Sequence, residues 1–173
     1  MDLRHIKAFA FDIDGVATEG TLLCMPDGDF LRLYDAKDGF AIRMACMNGY
    51  PVAVITGGSS ESIRKRMMAS GIKSEDVFLH CRDKRVEFRQ FCERYNLQPQ
   101  DVMYFGDDVP DLDVMAECGC AVCPADAVPD VQAKADWITD APGGKGCLRE
   151  AIEKTMKKQG RWIFDSEVYK KIF

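Results

Sequence analysis

The sequence predicts an α/β fold: a single Rossmann-like parallel sheet with helices on both faces and a β-hairpin flap after the first strand. Three observations predict it. Short, nearly uncharged apolar runs recur along the chain, helical patterns separate them, and a pair of strand-like runs around Asp27-Gly28 interrupts the alternation. Strands buried on both faces read as continuous apolar runs, and alternating strands and helices imply parallel pairing.

The first run, Lys7 to Asp12 (KAFAFD), is a buried strand. Thr21 to Cys24 and Phe30 to Tyr34 then flank Met25-Pro-Asp-Gly-Asp29, whose Asp-Gly pair marks a hairpin. A helical pattern covers Asp38 to Asn48 and stops at Gly49. Pro51 to Thr56 (PVAVIT) is the next strand. A helix over Ser59 to Ser70 follows, closed by Gly71. The spacing predicts a helix over Lys84 to Tyr95, a strand at Val102 to Gly106, a helix over Pro110 to Glu117, a strand at Cys120 to Cys123 and a helix over Cys147 to Lys158. Residues 1–160 are expected to form one core domain, with the flap at about 20–34. The tail, 161–173, is too apolar for a disordered segment and is expected to dock on a neighbouring subunit.

Composition narrows the function. Among 173 residues, 47% are hydrophobic and 29% charged, so a core and a solvated surface are both supplied. A net charge of −5 argues against a general nucleic-acid binder. No apolar stretch approaches the roughly 20 residues needed to span a bilayer, and the N-terminus lacks the apolar region and cleavage site of a signal peptide, so a cytoplasmic protein is expected. The eight cysteines mostly lie in apolar runs and read as reduced core thiols. Cys118, Cys120 and Cys123 come nearest to a zinc spacing, but they fall on a strand and lack a fourth ligand. Two histidines, His5 and His80, leave little scope for a histidine base.

The chemistry gathers just past the strands. The first ends in Asp12-Ile-Asp14-Gly15, the second in Thr56-Gly57-Gly58-Ser59, the third in Gly106-Asp107-Asp108-Val-Pro-Asp111; Lys84 opens the helix leading into the third. In a parallel sheet these ends share one edge, where ligands bind. Five carboxylates, a hydroxyl, an ammonium and a glycine-rich turn would converge there. Crowded carboxylates repel one another unless a hard divalent cation such as Mg²⁺ joins them, and that ion also binds phosphate. The Thr56-Gly57-Gly58 turn offers backbone N–H groups at a helix start, an anion site. Asp12 and Asp14, two residues apart, point the same way in an extended chain, so one can attack while the other handles protons. Asp-x-Asp-Gly also occurs in calcium loops, but Ala17 and Gly20 do not continue the EF-hand pattern. Taken singly, Thr56 reads as a helix cap and Lys84 as a solvated charge; their joint order is the signal.

With these motifs the chain resembles the haloacid dehalogenase superfamily of phosphatases, over residues 6 to about 151. Asp12-Ile-Asp14-Gly15-Val16 is similar to the first motif, Thr56 to the second, Lys84 to the third and Gly106-Asp107-Asp108-x-x-Asp111 to the fourth. The resemblance implies that Asp12 is the nucleophile and Asp14 the general acid and base. It implies that Mg²⁺ is held by Asp12, the Asp14 carbonyl and Asp107, with Asp108 and Asp111 holding metal waters and Lys84, and that Thr56 and Lys84 grip the phosphoryl group. The hairpin, Lys37-Asp38-Gly39-Phe40, Pro124 to Pro129 and Gly143 to Gly146 resemble the small capless branch that acts on sugar acid phosphates. This implies hydrolysis of 3-deoxy-D-manno-octulosonate (KDO) 8-phosphate in lipopolysaccharide synthesis, through an aspartyl-phosphate, by a homotetramer with sites at subunit interfaces. Relatives acting on nine-carbon acid 9-phosphates tend to carry Glu after Thr-Gly; Gly58 stands here, which favours the eight-carbon acid. Both substrates stay open, as does a non-catalytic scaffold. Lys37 and Arg66 either bind the sugar carboxylate, Arg66 across an interface, or are solvated helix charges. His80-Cys81-Arg82 and Ala17 depart from the branch's pattern.

Overall fold

The computed structural model describes residues 2–173. In chain order its strands are β1 (Ala8–Phe11), β2 (Leu23–Cys24), β3 (Phe30–Leu31), β4 (Val52–Ile55), β5 (Val77–Phe78), β6 (Val102–Phe105), β7 (Cys120–Cys123) and β8 (Trp137–Ile138). The helices are α1 (Ala36–Met47), α2 (Glu61–Met68), α3 (Lys84–Arg94), α4 (Leu112–Met115), α5 (Pro129–Gln132), α6 (Cys147–Lys158) and α7 (Ser166–Ile172). Six strands form one sheet in the order β5-β4-β1-β6-β7-β8, and β2 pairs with β3 separately. Every pairing in the large sheet is parallel, with Phe9 opposite Val52 and Ala8 opposite Val102. The chain runs from β1 outward to β4 and β5, then crosses back to β6 on the other side. That reversal opens a crevice at the carboxyl ends of β1, β4 and β6.

The two faces of the sheet differ. Alternation along β1 sends Phe9 and Phe11 to one side, against residues of α1, α2 and α6, and Ala8 and Ala10 to the other. On that second side the small residues Ala8, Ala10, Ala53 and Ala121 leave room for Phe88 and Phe91 of α3 and for Tyr104. Each fully buried aromatic contributes about 2–3 kcal/mol of transfer free energy, so two such layers fix the strand ends firmly.

Several boundaries differ from the sequence reading, and capping explains them. Asp35 accepts from the backbone N–H groups of Lys37 and Asp38 at 2.7 and 3.0 Å, so α1 starts earlier than expected. Ser60 caps α2, so that helix starts two residues later than expected. The helix expected over Pro110 to Glu117 is a tight turn, Val109–Asp111, followed by the single turn α4. The edge strands β5 and β8 are two residues each, too short to show a period in sequence. Asp38, 2% exposed, takes hydrogen bonds from the N–H groups of Gly146 and Arg149 at 3.1 and 2.7 Å. It caps α6 from another helix and ties α1 to α6.

Past α6 the tail folds back along α1. Trp162, Phe164 and Tyr169 surround Phe40, with ring centroids 6.5, 6.0 and 6.4 Å away, and Arg43 donates to the Tyr169 hydroxyl at 2.8 Å. Ile163, Phe164 and Ile172 remain more than half exposed. Among the described residues no disulfide joins the cysteines, and Cys120 and Cys123 are buried in β7.

Candidate active site

β1 delivers Asp12 to the edge of the sheet. Its N–H still reaches the Phe105 carbonyl at 3.0 Å, so the residue is registered against β6 before the chain turns. The turn, Ile13–Ala17, passes through Gly15 at φ +93°, a conformation glycine adopts without strain. A Cβ at Gly15 would stand 1.9 Å from Asp107 Oδ2, so glycine also clears the space that Asp107 fills. The loop at Gly143 to Gly146 backs this turn: Gly144 N–H donates to Val16 O at 2.8 Å, and a Cβ at Gly143 would sit 1.9 Å from Gly15 O.

Lys84, at the start of α3 and 5% exposed, is the charge at the centre. Its Nζ lies 2.6 Å from Asp12 Oδ2 and 2.7 Å from Asp111 Oδ1. Asp111 is fully buried. It also accepts from the Tyr104 hydroxyl at 2.7 Å and from the N–H groups of Asp107 and Asp108 at 3.1 and 3.4 Å. Asp111 therefore acts as a hub that orients Lys84 and shapes the loop after β6. Ile13 N–H donates to Asp12 Oδ1 at 2.6 Å, so both oxygens of Asp12 are held.

The electrostatics follow from crowding. Burial raises Asp107 to about 8, with the neighbouring charges of Asp111 and Asp12 adding to it. Burial raises Asp12 to about 6, with Lys84 pulling against the rise. Burial opposes the charge on Lys84, but Asp12 and Asp111 outweigh it and hold the ammonium above its usual range. Asp107 Oδ1 is buried without a hydrogen-bond partner among the described residues, an expensive state for a carboxylate. Asp12, Asp107 and Asp111 each offer an oxygen, and these oxygens lie within 4.8 Å of one another. A hard divalent cation fits this donor set: it satisfies the orphaned oxygen and relieves the repulsion. Among the described residues this carboxylate group, not the cysteines, has ligand geometry.

Asp12, Asp14, Thr56, Gly57, Gly58, Lys84, Asp107, Asp108 and Asp111 line one cleft of about 370 Å³, together with Cys81, Arg82 and Pro110. Asp108 is exposed and accepts from Val109 N–H at 2.7 Å, capping the turn. The Gly58 N–H is taken by Thr56 Oγ1 at 3.2 Å, and the helix begins only at Glu61. The turn thus lies ahead of the helix rather than on its first residues. His80 N–H and Cys81 N–H bond to the carbonyls of Gly58 and Thr56, both at 3.0 Å. This places Arg82 on the cleft wall and leaves His80 exposed at φ +59°. Lys37 and Arg66 stand outside the cleft. Lys37 is exposed on α1, while Arg66 donates to Ser70 Oγ at 3.0 Å and lies over the Tyr34 ring.

Two contributors escaped the sequence reading. Tyr104 sits inside an apolar run, and only its polar tip hinted at a partner. Arg32, just past β3, pairs with Asp14 through two bonds, Nε to Oδ1 at 2.7 Å and Nη2 to Oδ2 at 3.0 Å. A hairpin alternation that sends Leu31 and Leu33 outward would have sent Arg32 inward.

A carboxylate pair at the turn after β1, a buried lysine and an acidic loop after β6 are thus in one cleft at the switch point of a parallel sheet. Residues 59–149 match the model of the haloacid dehalogenase-like hydrolases. The 3-deoxy-D-manno-octulosonate 8-phosphate phosphatases of Salmonella typhi and Escherichia coli strain K12 are each 31% identical to the chain over 158 residues, covering 91% of it and 83% of theirs. The chain belongs to the haloacid dehalogenase-like hydrolases. Solved structures of such hydrolases superpose closely. The 3-deoxy-D-manno-octulosonate 8-phosphate phosphatase of Yersinia pestis, 31% identical, matches with a TM-score of 0.88 over 92% of this chain and 85% of its own. That of Moraxella catarrhalis, solved with magnesium ion, phosphate ion and KDO, is 28% identical and matches at 0.87 over 92% of this chain and 91% of its own.

Proposed function

We propose that this hydrolase is a magnesium-dependent phosphatase that converts KDO 8-phosphate to the free sugar acid and inorganic phosphate. The observation that carries the reading is Asp12 fixed between Lys84 and the Ile13 N–H, beside Asp14, in a cleft that fits a divalent cation. The substrate follows from the relatives of Salmonella typhi and Yersinia pestis, which align over nearly the whole chain. A synthetic role in lipopolysaccharide assembly goes with that substrate.

Asp12 attacks phosphorus, the bond from phosphorus to the sugar oxygen breaks, and Asp14 gives that oxygen its proton. Water then attacks the aspartyl-phosphate, Asp14 takes the water's proton, and the bond from phosphorus to Asp12 breaks. Lys84 and Thr56 hold the equatorial oxygens in a preorganised site. Mg²⁺, held by Asp12, Asp107 and the Asp14 carbonyl with Asp108 and Asp111 behind, would neutralise charge on the transferring group.

The assembly belongs to the same proposal. Leu22, Leu23, Leu31 and Leu33 expose an apolar face on the hairpin, Leu33 at 79%. A homotetramer would cover them, along with Ile163, Phe164 and Ile172 of the tail, and would bring Arg66 or Lys37 to a neighbouring cleft as carboxylate binders. No helix among the described residues is long and apolar enough to cross a membrane; a cytoplasmic setting suits a cysteine-bearing core.

The test is phosphate release with Mg²⁺ from KDO 8-phosphate, a nine-carbon sugar acid 9-phosphate and glucose 6-phosphate. Strong preference for the eight-carbon compound, lost in Asp12→Asn, is expected. Preference for the nine-carbon compound would overturn the substrate, and turnover surviving in Asp12→Asn would overturn the mechanism.

A further inference from the structure

We infer that Arg32 of the hairpin is a positioning residue for proton transfer: it orients the Asp14 carboxylate in the cleft. The inference rests on the proposed role of Asp14 as proton donor and acceptor, and adds a residue to it.

Asp14 has little else to fix it. Its backbone lies in the irregular turn after β1, at φ −77° and ψ 113°, followed by Gly15 in the left-handed region. Its side chain is 28% exposed. Among the described residues, only Arg32 donates to its carboxylate. Arg32 by contrast is held tightly, with its side chain 3% exposed. Its guanidinium lies 5.9 Å from the Phe30 ring centroid. Nη2 stands 3.2 Å from where a Cβ at Gly58 would be, so Gly58 leaves the space that Arg32 occupies. The two parallel N–H···O bonds fix the carboxylate plane as well as its place, which a lysine cannot do. A second tie, Ser60 Oγ to Asp29 Oδ2 at 3.0 Å, anchors the same hairpin to the cap of α2. The flap is thereby registered against two loops of the cleft, and the geometry of Asp14 depends on where it sits.

Two other roles for Arg32 make different predictions. As a mere anchor of the hairpin, it would affect all substrates alike. As a direct ligand of the transferring phosphoryl group, it would also affect all substrates alike, and its loss would add to that of Asp14. A positioning role affects only reactions whose leaving oxygen needs a proton.

The experiment compares kcat/KM for KDO 8-phosphate, whose sugar oxygen is a poor leaving group that needs a proton, with 4-nitrophenyl phosphate, whose 4-nitrophenolate leaves unprotonated. The proteins are wild type, Arg32→Met, Arg32→Lys, Asp14→Asn and the Arg32→Met/Asp14→Asn double variant, each with Mg²⁺. Since kcat/KM reports the steps up to cleavage, Asp14→Asn should lose about 10²–10⁴-fold on the sugar phosphate and far less on the aryl ester. Arg32→Met should show the same selectivity, about 10²-fold on the sugar phosphate, as expected of a misplaced group. Arg32→Lys should lose about tenfold, because the charge remains but the fork does not. The double variant should match Asp14→Asn, as expected when one residue acts through the other. Equal losses on both substrates, or additive losses in the double variant, would overturn the inference and leave the phosphatase reading intact. If Arg32→Met does not fold, an unchanged substrate ratio in Arg32→Lys overturns it equally. A wild type inert on both substrates would overturn the parent reading and this one together.

Discussion

Binding of Mg²⁺ to this cleft should release about one proton at pH 7. Metal ligands must be ionised, and Asp107 is raised to about 8 and Asp12 to about 6. At pH 7 a carboxyl with the first value is about nine-tenths protonated and one with the second about one-tenth, which sums to about one proton per ion bound. At pH 9 both are almost fully ionised and the release should fall to about 0.1. Affinity should accordingly rise about tenfold per pH unit between 6 and 8, then level off. Calorimetric titration with MgCl₂ in buffers of differing ionisation enthalpy measures the proton count directly. Ordinary carboxylates, already ionised at pH 7, would release none. Asp107→Asn should reduce both the release and the affinity. A release near zero at pH 7, or one that persists undiminished at pH 9, would refute the crowding argument.

Lys84→Met should destabilise the metal-free protein by about 3–5 kcal/mol at pH 7, since it strands Asp12 and Asp111 at the former partner; urea unfolding should show the loss shrinking as pH falls to 5 and Asp12, raised to about 6, protonates. Gly15→Ala should cost about 1–3 kcal/mol in backbone strain and displace Asp107, whose Oδ2 is 1.9 Å from the new Cβ; Mg²⁺ affinity measured by calorimetry should fall about 10–100-fold with circular dichroism unchanged. Asp38, raised to about 6 mainly by burial against an ordinary 3.8, is protonated longer in the folded chain than in the unfolded one. The stability it lends is therefore full below pH 4 and lost by pH 6, about 3 kcal/mol in all; Asp38→Asn should flatten that part of the urea-midpoint profile.

The central sheet was legible because four of its strands are apolar runs bounded by turn residues, and the motifs that line the cleft stand immediately after three of them. β5 and β8 were not, because two-residue edge strands carry no period of their own; Val77–Phe78 and Trp137–Ile138 are strands only through their neighbours. The cleft was legible in Asp12, Asp14, Thr56, Lys84 and Asp107, where spacing along the chain maps directly onto the sheet edge. Arg32 and Tyr104 were not, since their partners, Asp14 and Asp111, are set by how the hairpin folds over and by a turn seven residues on. Lys37 and Arg66 lie outside the cleft of a single chain, and a neighbour's position is not written in local pattern.

The unequal faces of the sheet reach further than packing. Ala8, Ala10, Ala53 and Ala121 are methyl-sized floor tiles under Phe88 and Tyr104, and Tyr104 in turn supports Asp111 and through it Lys84. A valine at any of these positions would look harmless in a comparison of hydrophobicity, yet an overfilled core shifts its neighbours. Under selection for turnover, these silent alanines should be as constrained as the carboxylates they never touch, so that part of the enzyme's evolutionary memory of its chemistry is kept in its smallest side chains.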